Sequence, residues 1–529
     1  MIASRQRGKG EIVLDPAPKA ALRRWTRAMT AALLVLLVGR VASSVWLYTA
    51  GFEGLSGDAH LRTLLAADWA ARPYLAAGGV WLPGHMIALG VLLAGWGDLV
   101  VVPRLFSVAL GLAAIALVAA LGASLFRDAR AGLAAALLLA CDPAHLWVAA
   151  TPLNENLHLA LTLLALLAVG RFEPKGRPVW VALAGGVLLL ANAVRFEAWL
   201  VSVAFAGVVL WWVAHRRLAP AALAAAALPF LVPAAFIAAN WWTFGDLLFW
   251  PNAFRAYNLR AYGPGADPAG VLEALWTAEG PLLLLAIAAC GWAVSQAGAV
   301  RRYLLLTGVP AIVVIVALAA SREPVNNLLR YLVPFLALLA PLIGGFAVAA
   351  WERSPSRGRR LALAGVAATL LAARLLVAGA PPPEPSNAGL AVGREIAAHR
   401  ASEGLPAGPI IADASSLAVY AMMVGASDAR TILLDRPVDP AVRRPPILSL
   451  EAAEVLACAG EVGAVGLVTP SRDAERLPGA SLVAVVNGFR IVRVNATEGD
   501  CPGETARWPD FARDATGRLF AALAYRMEG

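Results

Sequence analysis

Eleven stretches of this chain are apolar over roughly the 20 residues that a helix needs to cross a bilayer. They lie at 28–48, 105–124, 132–150, 156–170, 179–194, 199–214, 220–240, 281–297, 303–320, 329–350 and 360–379. A water-soluble core has no room for so many helices that are apolar all round, so the pattern predicts an α-helical polytopic membrane protein. Of the 529 residues, 60% are hydrophobic and 15% charged, against about 45–50% and about 25% in soluble domains. The net charge of +9 invites a nucleic-acid partner until it is mapped. Residues 380–529 hold 14 Arg and 18 Asp plus Glu, a net of −4, so the mostly membrane remainder carries +13. Positive charge beside apolar segments reports orientation, and no nucleic-acid partner is expected.

The basic residues set that orientation. Seven of them, Arg5 to Arg27, precede the first run, and Arg127 and Arg130, then Arg171, Lys175 and Arg177 fill later connections. Arg216 and Arg217, Arg301 and Arg302, and Arg353 to Arg360 continue the series in alternate loops, which assigns these loops to the cytoplasm. A shorter apolar stretch, 79–97, is broken by Pro83, Gly84 and His85. Counting it as a span would move every later basic loop to the outside, so it is read as an interfacial or re-entrant helix. The expected topology is an inner (plasma) membrane protein with residues 1–27 in the cytoplasm and an eleven-helix unit over 28–379. Its first exterior loop is 49–104, and 380–529 lies outside. Arg40 follows the run at 31–39 without a convincing cleavage site, so the first helix is expected to stay as an anchor.

The exterior tail opens with PPPEP, a linker signal, and then alternates short strands with helices. GPIIADAS, RTILLD, VGAVGLVTP and SLVAVVNGFRIVRV read as strands, and 389–402, 414–424 and 450–459 as helices, which predicts a small α/β domain. It shows no phosphate loop, no His/Cys cluster and no nucleophile elbow. Cys458 and Cys501 both fall in it, and either a bridge or two free thiols fits the spacing. Cys141 and Cys290 fall in apolar helices and read as small core residues.

Ionisable groups beside a membrane core are costly and are functional candidates for that reason. Here they collect at exterior connections: Asp58 in GLSGDAHLR, Asn154 and Glu155 in TPLNENLHL, Arg195 and Glu197 in NAVRFEAWL, and Arg322, Glu323 and Arg330 in SREPVNNLLRYLVP. Each also has a structural explanation. Asp58 suits a helix N-cap, Glu155 a solvated loop end, Arg195 and Glu197 a mutual pair, and Arg330 a headgroup contact. His60, His85, His145 and His158 share this face at spacings that match no metal motif. The Trp/Tyr/Asn-rich loop within 241–280 suits an interfacial aromatic belt as well as a binding loop.

In order and topology, residues 28–350 resemble the GT-C superfamily of polytopic glycosyltransferases. That group includes the polyprenyl- or dolichyl-phosphate-sugar-dependent protein mannosyltransferases, the aminoarabinose transferase of lipid A and the catalytic subunit of oligosaccharyltransferase. The resemblance rests on Asp58 in a long first exterior loop, on VWLPGHMIALGVLL after it, and on the PRLFSVALGLAA to NENLHLALTLLALL region. NAVRFEAWL and RYLVPFLALLAPL complete it. The Trp-Trp-Asp signature of the oligosaccharyltransferase is absent from the tail.

The resemblance implies sugar transfer of the inverting type, from a polyprenyl-phosphate-linked donor to a glycan, lipid or protein acceptor at the extracytoplasmic face of the bilayer. Asp58 and Glu155 would be the catalytic carboxylates. Arg330 would contact the donor phosphate, with Asn154, Arg195, Glu197, His60 and Tyr331 lining the substrate site. It allows a divalent cation, Mg or Mn, without requiring one. A transporter or flippase is the competing expectation, and it would need inverted repeats and broken helices with mid-membrane charges. Arg40 is the one strong mid-helix charge. A scaffold presenting the tail is the third reading.

Overall fold

The computed structural model describes residues 19–73, 81–175, 178–253, 255, 268–296, 298–321, 325–402, 404–436, 444–495 and 497–507. Among these, seven helical segments are long and apolar enough to cross a membrane, and the chain is a multi-pass membrane protein. They belong to α1 (Lys19–Thr49), α4 (Val101–Phe126), α9 (Glu197–Ala214), the nearly continuous pair α10 (Ala222–Ala227) and α11 (Leu231–Phe244), α13 (Ala299–Ser321), α14 (Val325–Arg353) and α15 (Arg357–Ala378). The expected run at 132–150 is instead two helices, α5 (Ala129–Ala140) and α6 (Pro143–Ala149), bent by 71° at their break. The bend has a local cause. Asp142 takes the N-cap position of α6, its carboxylate accepting the His145 N–H at 2.7 Å, and Pro143 follows at the first helical position.

The remaining three runs lie in shorter apolar helical segments of α7 (Asn154–Lys175), α8 (Pro178–Asn192) and α12 (Pro268–Ser295). The stretch 79–97, described from residue 81 onward, yields only α3 (Gly84–Gly95). Its 12 residues reach about 18 Å at 1.5 Å per residue, well short of the roughly 30 Å hydrocarbon core.

The bundle is held by close helix approach. One core runs through α4, α5, α7, α8, α9, α12, α13 and α14, with Ile115, Leu163, Phe205, Trp212 and Leu338 fully buried. Lipid gives little net hydrophobic drive between helices, so small residues that bring backbones together carry much of the packing. Gly132 of α5 shows this, since a Cβ there would lie 2.2 Å from the Ala119 carbonyl of α4. Val35, Leu231, Ile312 and Leu376 stay exposed on the outside, where acyl chains cover them. Arg40, the mid-helix charge, is held within the bundle by its two terminal nitrogens, while its Nε is buried without a partner. It donates to the Ala140 carbonyl at 3.3 Å and meets His145 Nδ1 at 3.1 Å. Arg374 of α15 pairs with Asp142 at 2.5 Å and Glu279 at 2.7 Å, tying the outer helix to the α5–α6 break.

Beyond Gly379 the chain forms a six-stranded sheet in the order β4-β5-β3-β1-β2-β6. The strands are β1 (Ile410–Ala412), β2 (Ile432–Leu434), β3 (Gly466–Thr469), β4 (Ser481–Val486), β5 (Phe489–Arg493) and β6 (Ala506–Arg507). β1 pairs in parallel with β2 and β3, the connections carrying α17 (Ala418–Gly425) and α18 (Ala452–Glu461), while α16 (Ala388–Ala401) precedes the first strand. Asn487 and Gly488 both have positive φ (49° and 85°), as a two-residue hairpin between β4 and β5 requires. Cys458 and Cys501 are joined as a disulfide, and Cys141 and Cys290 are half-buried free thiols. The tail's core is not its own alone. Leu61, Leu64 and Leu65 of α2 (Asp58–Ala71) pack into it with Leu390, Val392, Tyr420 and Met422.

Candidate active site

Four separate pieces of chain deliver charge to one place. Asp58 is the first residue of α2, where a carboxylate favours the helix dipole, and the Ser56 hydroxyl accepts its N–H at 3.3 Å. Gly57 holds the cap position, so Asp58 is not the N-cap. Glu155 is in the first turn of α7, Arg195 lies in the turn between α8 and α9, Glu197 starts α9, and Arg330 is in the second turn of α14.

Arg330 joins these pieces. Its Nη1 donates to Asp58 Oδ2 at 3.2 Å and to Ser56 Oγ at 2.9 Å, and its Nε donates to Glu155 Oε1 at 3.1 Å. Arg195 Nη1 meets the same Glu155 oxygen at 2.6 Å and donates to Asn154 Oδ1 at 3.2 Å. Arg195 Nε donates to Glu197 Oε2 at 3.0 Å, and its Nη2 bonds the other Glu197 oxygen. The guanidinium lies 5.1 Å from the Tyr331 ring centre. Asn154 is itself fixed by donating to the Val194 carbonyl at 3.1 Å. Burial opposes the charge on Arg195, but Glu197 and Glu155 outweigh it and hold the group protonated.

Exposure separates the two proposed catalytic acids. The Glu155 side chain is 1% exposed and that of Asp58 31%. Glu155 is therefore no solvated loop end, and Arg330, turned inward through Nε and Nη1 onto Glu155, Asp58 and Ser56, does not reach for headgroups. Arg195 and Glu197 do pair, but Glu155 shares the arrangement. Asp58 Oδ1 and Arg330 Nη2 make no hydrogen bond to a described residue, so each presents an unused position. Glu155 Oε2 is likewise buried without a partner.

His60 does not join this cluster. Its Nε2 meets Asn387 Oδ1 at 3.1 Å, and because Asn387 Nδ2 donates to the Gly54 carbonyl, the histidine supplies the proton. Burial pulls His60 down to about 4, against the Asn387 bond. The neutral ring is thus the folded form. Its stabilising contribution is complete above an unfolded value of about 6.5 and is lost as the pH falls through about 4, on the order of 3 kcal/mol. Thermal unfolding in detergent at pH 7 and pH 4.5 is expected to show this loss, and His60→Asn to reduce it. An unchanged acid response in the variant would remove His60 as its source. Arg322 and Glu323 lie outside the described residues.

Two residues at the site had drawn no attention in the sequence, Ser56 and Arg62, and Trp81, noted only within VWLPGHMIALGVLL, joins them. Arg62 is 8% exposed, its guanidinium 4.2 Å from the Trp81 ring centre. Burial pulls it down to about 10, while Asp58 and Glu155 favour its charge. Its i+4 spacing from Asp58 was the available signal. Trp250, from the aromatic loop, stacks on Phe196 at 4.1 Å, next to Arg195.

The donor set does not fit a divalent cation. No group of three or more His, Cys, Asp or Glu able to hold a metal occurs among the described residues, and guanidinium groups already balance the carboxylates.

The long connection between α1 and α4 with its two short helices, the helical bundle and the sheet domain beyond Gly379 together make up the fold that the comparisons test. No family model matches the sequence, and no curated protein matches it. Solved structures do. ArnT from Cupriavidus metallidurans bound to undecaprenyl phosphate superposes with a TM-score of 0.59 at 16% identity, over 90% of this chain and 99% of that one. Its apo state gives 0.55 at 16% identity, over 91% and 100%. The Archaeoglobus fulgidus oligosaccharyltransferase in the apo form gives 0.51 at 12% identity, over 83% of this chain and 69% of that one. At these identities the likeness establishes the fold.

Proposed function

We propose that this protein is a glycosyltransferase that moves a sugar from a polyprenyl-phosphate-linked donor to an acceptor hydroxyl at the extracytoplasmic face of the plasma (inner) membrane. The observation that carries this reading is Arg330 bonded to both Asp58 and Glu155, acids from loops far apart in the chain, within a fold shared with an undecaprenyl-phosphate-bound ArnT. Asp58 is the general base. Its unengaged Oδ1 takes the proton of the acceptor hydroxyl as that oxygen bonds the anomeric carbon, and the bond from that carbon to the phosphate oxygen breaks. Polyprenyl phosphate leaves with the electron pair, and a single displacement inverts the anomeric centre. Arg330 uses Nη2 to receive the developing phosphate charge. Glu155 and Asn154 hold Arg330 and Arg195 in place, and Glu197 and Tyr331 shape the wall beside Arg195.

The basic loops put the N-terminus in the cytoplasm, and residues 380–529 form the exterior domain. The Cys458–Cys501 bridge suits that oxidising side.

The test is transfer by full-length protein in liposomes, from short-chain polyprenyl-phosphate sugars to glycan, lipid and peptide acceptors. Release of polyprenyl phosphate matched by a glycosylated product is the expected result. Donor flux across the bilayer with no product would instead favour a flippase.

A further inference from the structure

At the end of the bundle opposite Asp58, a cavity of about 160 Å³ opens between α4, α7, α9 and α13. Gly170, on its lining, is 15 residues along α7 from Glu155, or about 22 Å away at 1.5 Å per residue. The cavity is therefore no part of the site described above. Its walls include Leu166, Trp212 and Leu306, and its lining is completed on the polar side by Ser124, Arg127 and Arg302.

Arg127 ends α4 in the left-handed conformation, with φ 53°. Its guanidinium is exposed and forms no ion pair with a described residue. Arg130, close by in sequence, is engaged with Asp128 and Glu352. Arg302 lies 5.8 Å from the Trp211 ring centre, which Arg217 also faces at 5.2 Å. Exposed Arg216, Arg217 and Arg301 extend the positive surface at this end.

A pocket with apolar walls and guanidinium groups on its lining, at the depth where spanning helices end, matches an amphiphile with an anionic head. We propose that this cavity binds one anionic glycerophospholipid of the leaflet it faces. The glycerol and first acyl carbons lie against Leu166, Trp212 and Leu306, and the phosphodiester lies between Arg127 and Arg302. Charge complementarity selects the head, because a zwitterionic lipid brings its own cation to a surface that already has several. The assignment does not rest on sugar transfer.

The test uses the full chain, exchanged in mild detergent into equal amounts of phosphatidylglycerol and phosphatidylcholine, with retained lipid read by native mass spectrometry. Wild type is expected to keep one phosphatidylglycerol with about tenfold preference, equivalent to ~1.4 kcal/mol. Arg127→Gln with Arg302→Gln is expected to abolish the preference, and Arg216→Gln with Arg217→Gln to leave it. Ser124→Trp, which fills the cavity without removing charge, is expected to abolish it as well and covers the case in which the double variant does not fold. Equal retention of the two lipids by wild type overturns the proposal. So does a preference that survives Ser124→Trp, or retention of polyprenyl phosphate in place of phosphatidylglycerol.

Discussion

Asp58→Asn is expected to lower sugar transfer by about 10²- to 10⁴-fold while leaving the protein folded. The amide oxygen still accepts from Arg330, and the helix start at Ser56 is unchanged, so the substitution removes the basicity and the charge of a partly exposed carboxylate while keeping its shape and hydrogen bond. The loss should fall on kcat with KM nearly constant, because the carboxylate acts on the acceptor proton rather than on donor binding. Donor-dependent turnover, with melting temperature as the control for folding, reads both quantities. Activity within a few-fold of wild type would take the base role away from Asp58.

Glu155→Gln is expected to damage both stability and activity. Glu155 is buried between Arg330 and Arg195 and meets both through one oxygen. Without its charge, two guanidinium groups face each other in a site with little water. Breaking a buried pair from one side costs about 3–5 kcal/mol, so the melting temperature should fall by several degrees and transfer should drop to background. Adding Arg195→Gln to Glu155→Gln removes one surplus cation and is expected to return part of the stability. A double-mutant cycle in thermal unfolding measures that coupling. Independent, additive effects would mean that the three groups do not form the unit described here.

Much of this arrangement could be read from the residues, for identifiable reasons. Apolar length located the long helices of the bundle though not α2, and the alternation of basic loops gave a reason to read 79–97 apart from the spans. The tail's strands were legible because GPIIADAS and RTILLD are short apolar runs flanked by turn residues. Run length alone could not show that 132–150 breaks. The signal was there in Asp142-Pro143, a cap followed by a proline, but an apolar run hides it. The second strand partner of β2 was missed because β6 has only two residues. Asp58, Glu155, Arg195 and Arg330 stood out because charge beside a membrane segment needs a reason. Ser56 and Arg62 did not, because a serine and an arginine in a long connecting loop are ordinary until the fold brings Glu155 and Arg330 against them. The Cys458–Cys501 bridge stayed open for the same kind of reason, since spacing does not set the distance between two Cα atoms, here 4.6 Å.

The leucines of α2 have a consequence for how such chains diverge. The acid proposed to take the acceptor's proton stands on a helix whose seat is made by Leu390, Val392 and Tyr420, from the opposite end of the polypeptide. The tail is then part of the mould in which the reactive centre is cast, not a passenger. Exchanging tails between distant relatives should misplace Asp58 unless α2 travels with the graft. Drift at Tyr420 offers a way to retune chemistry without touching a single charged residue.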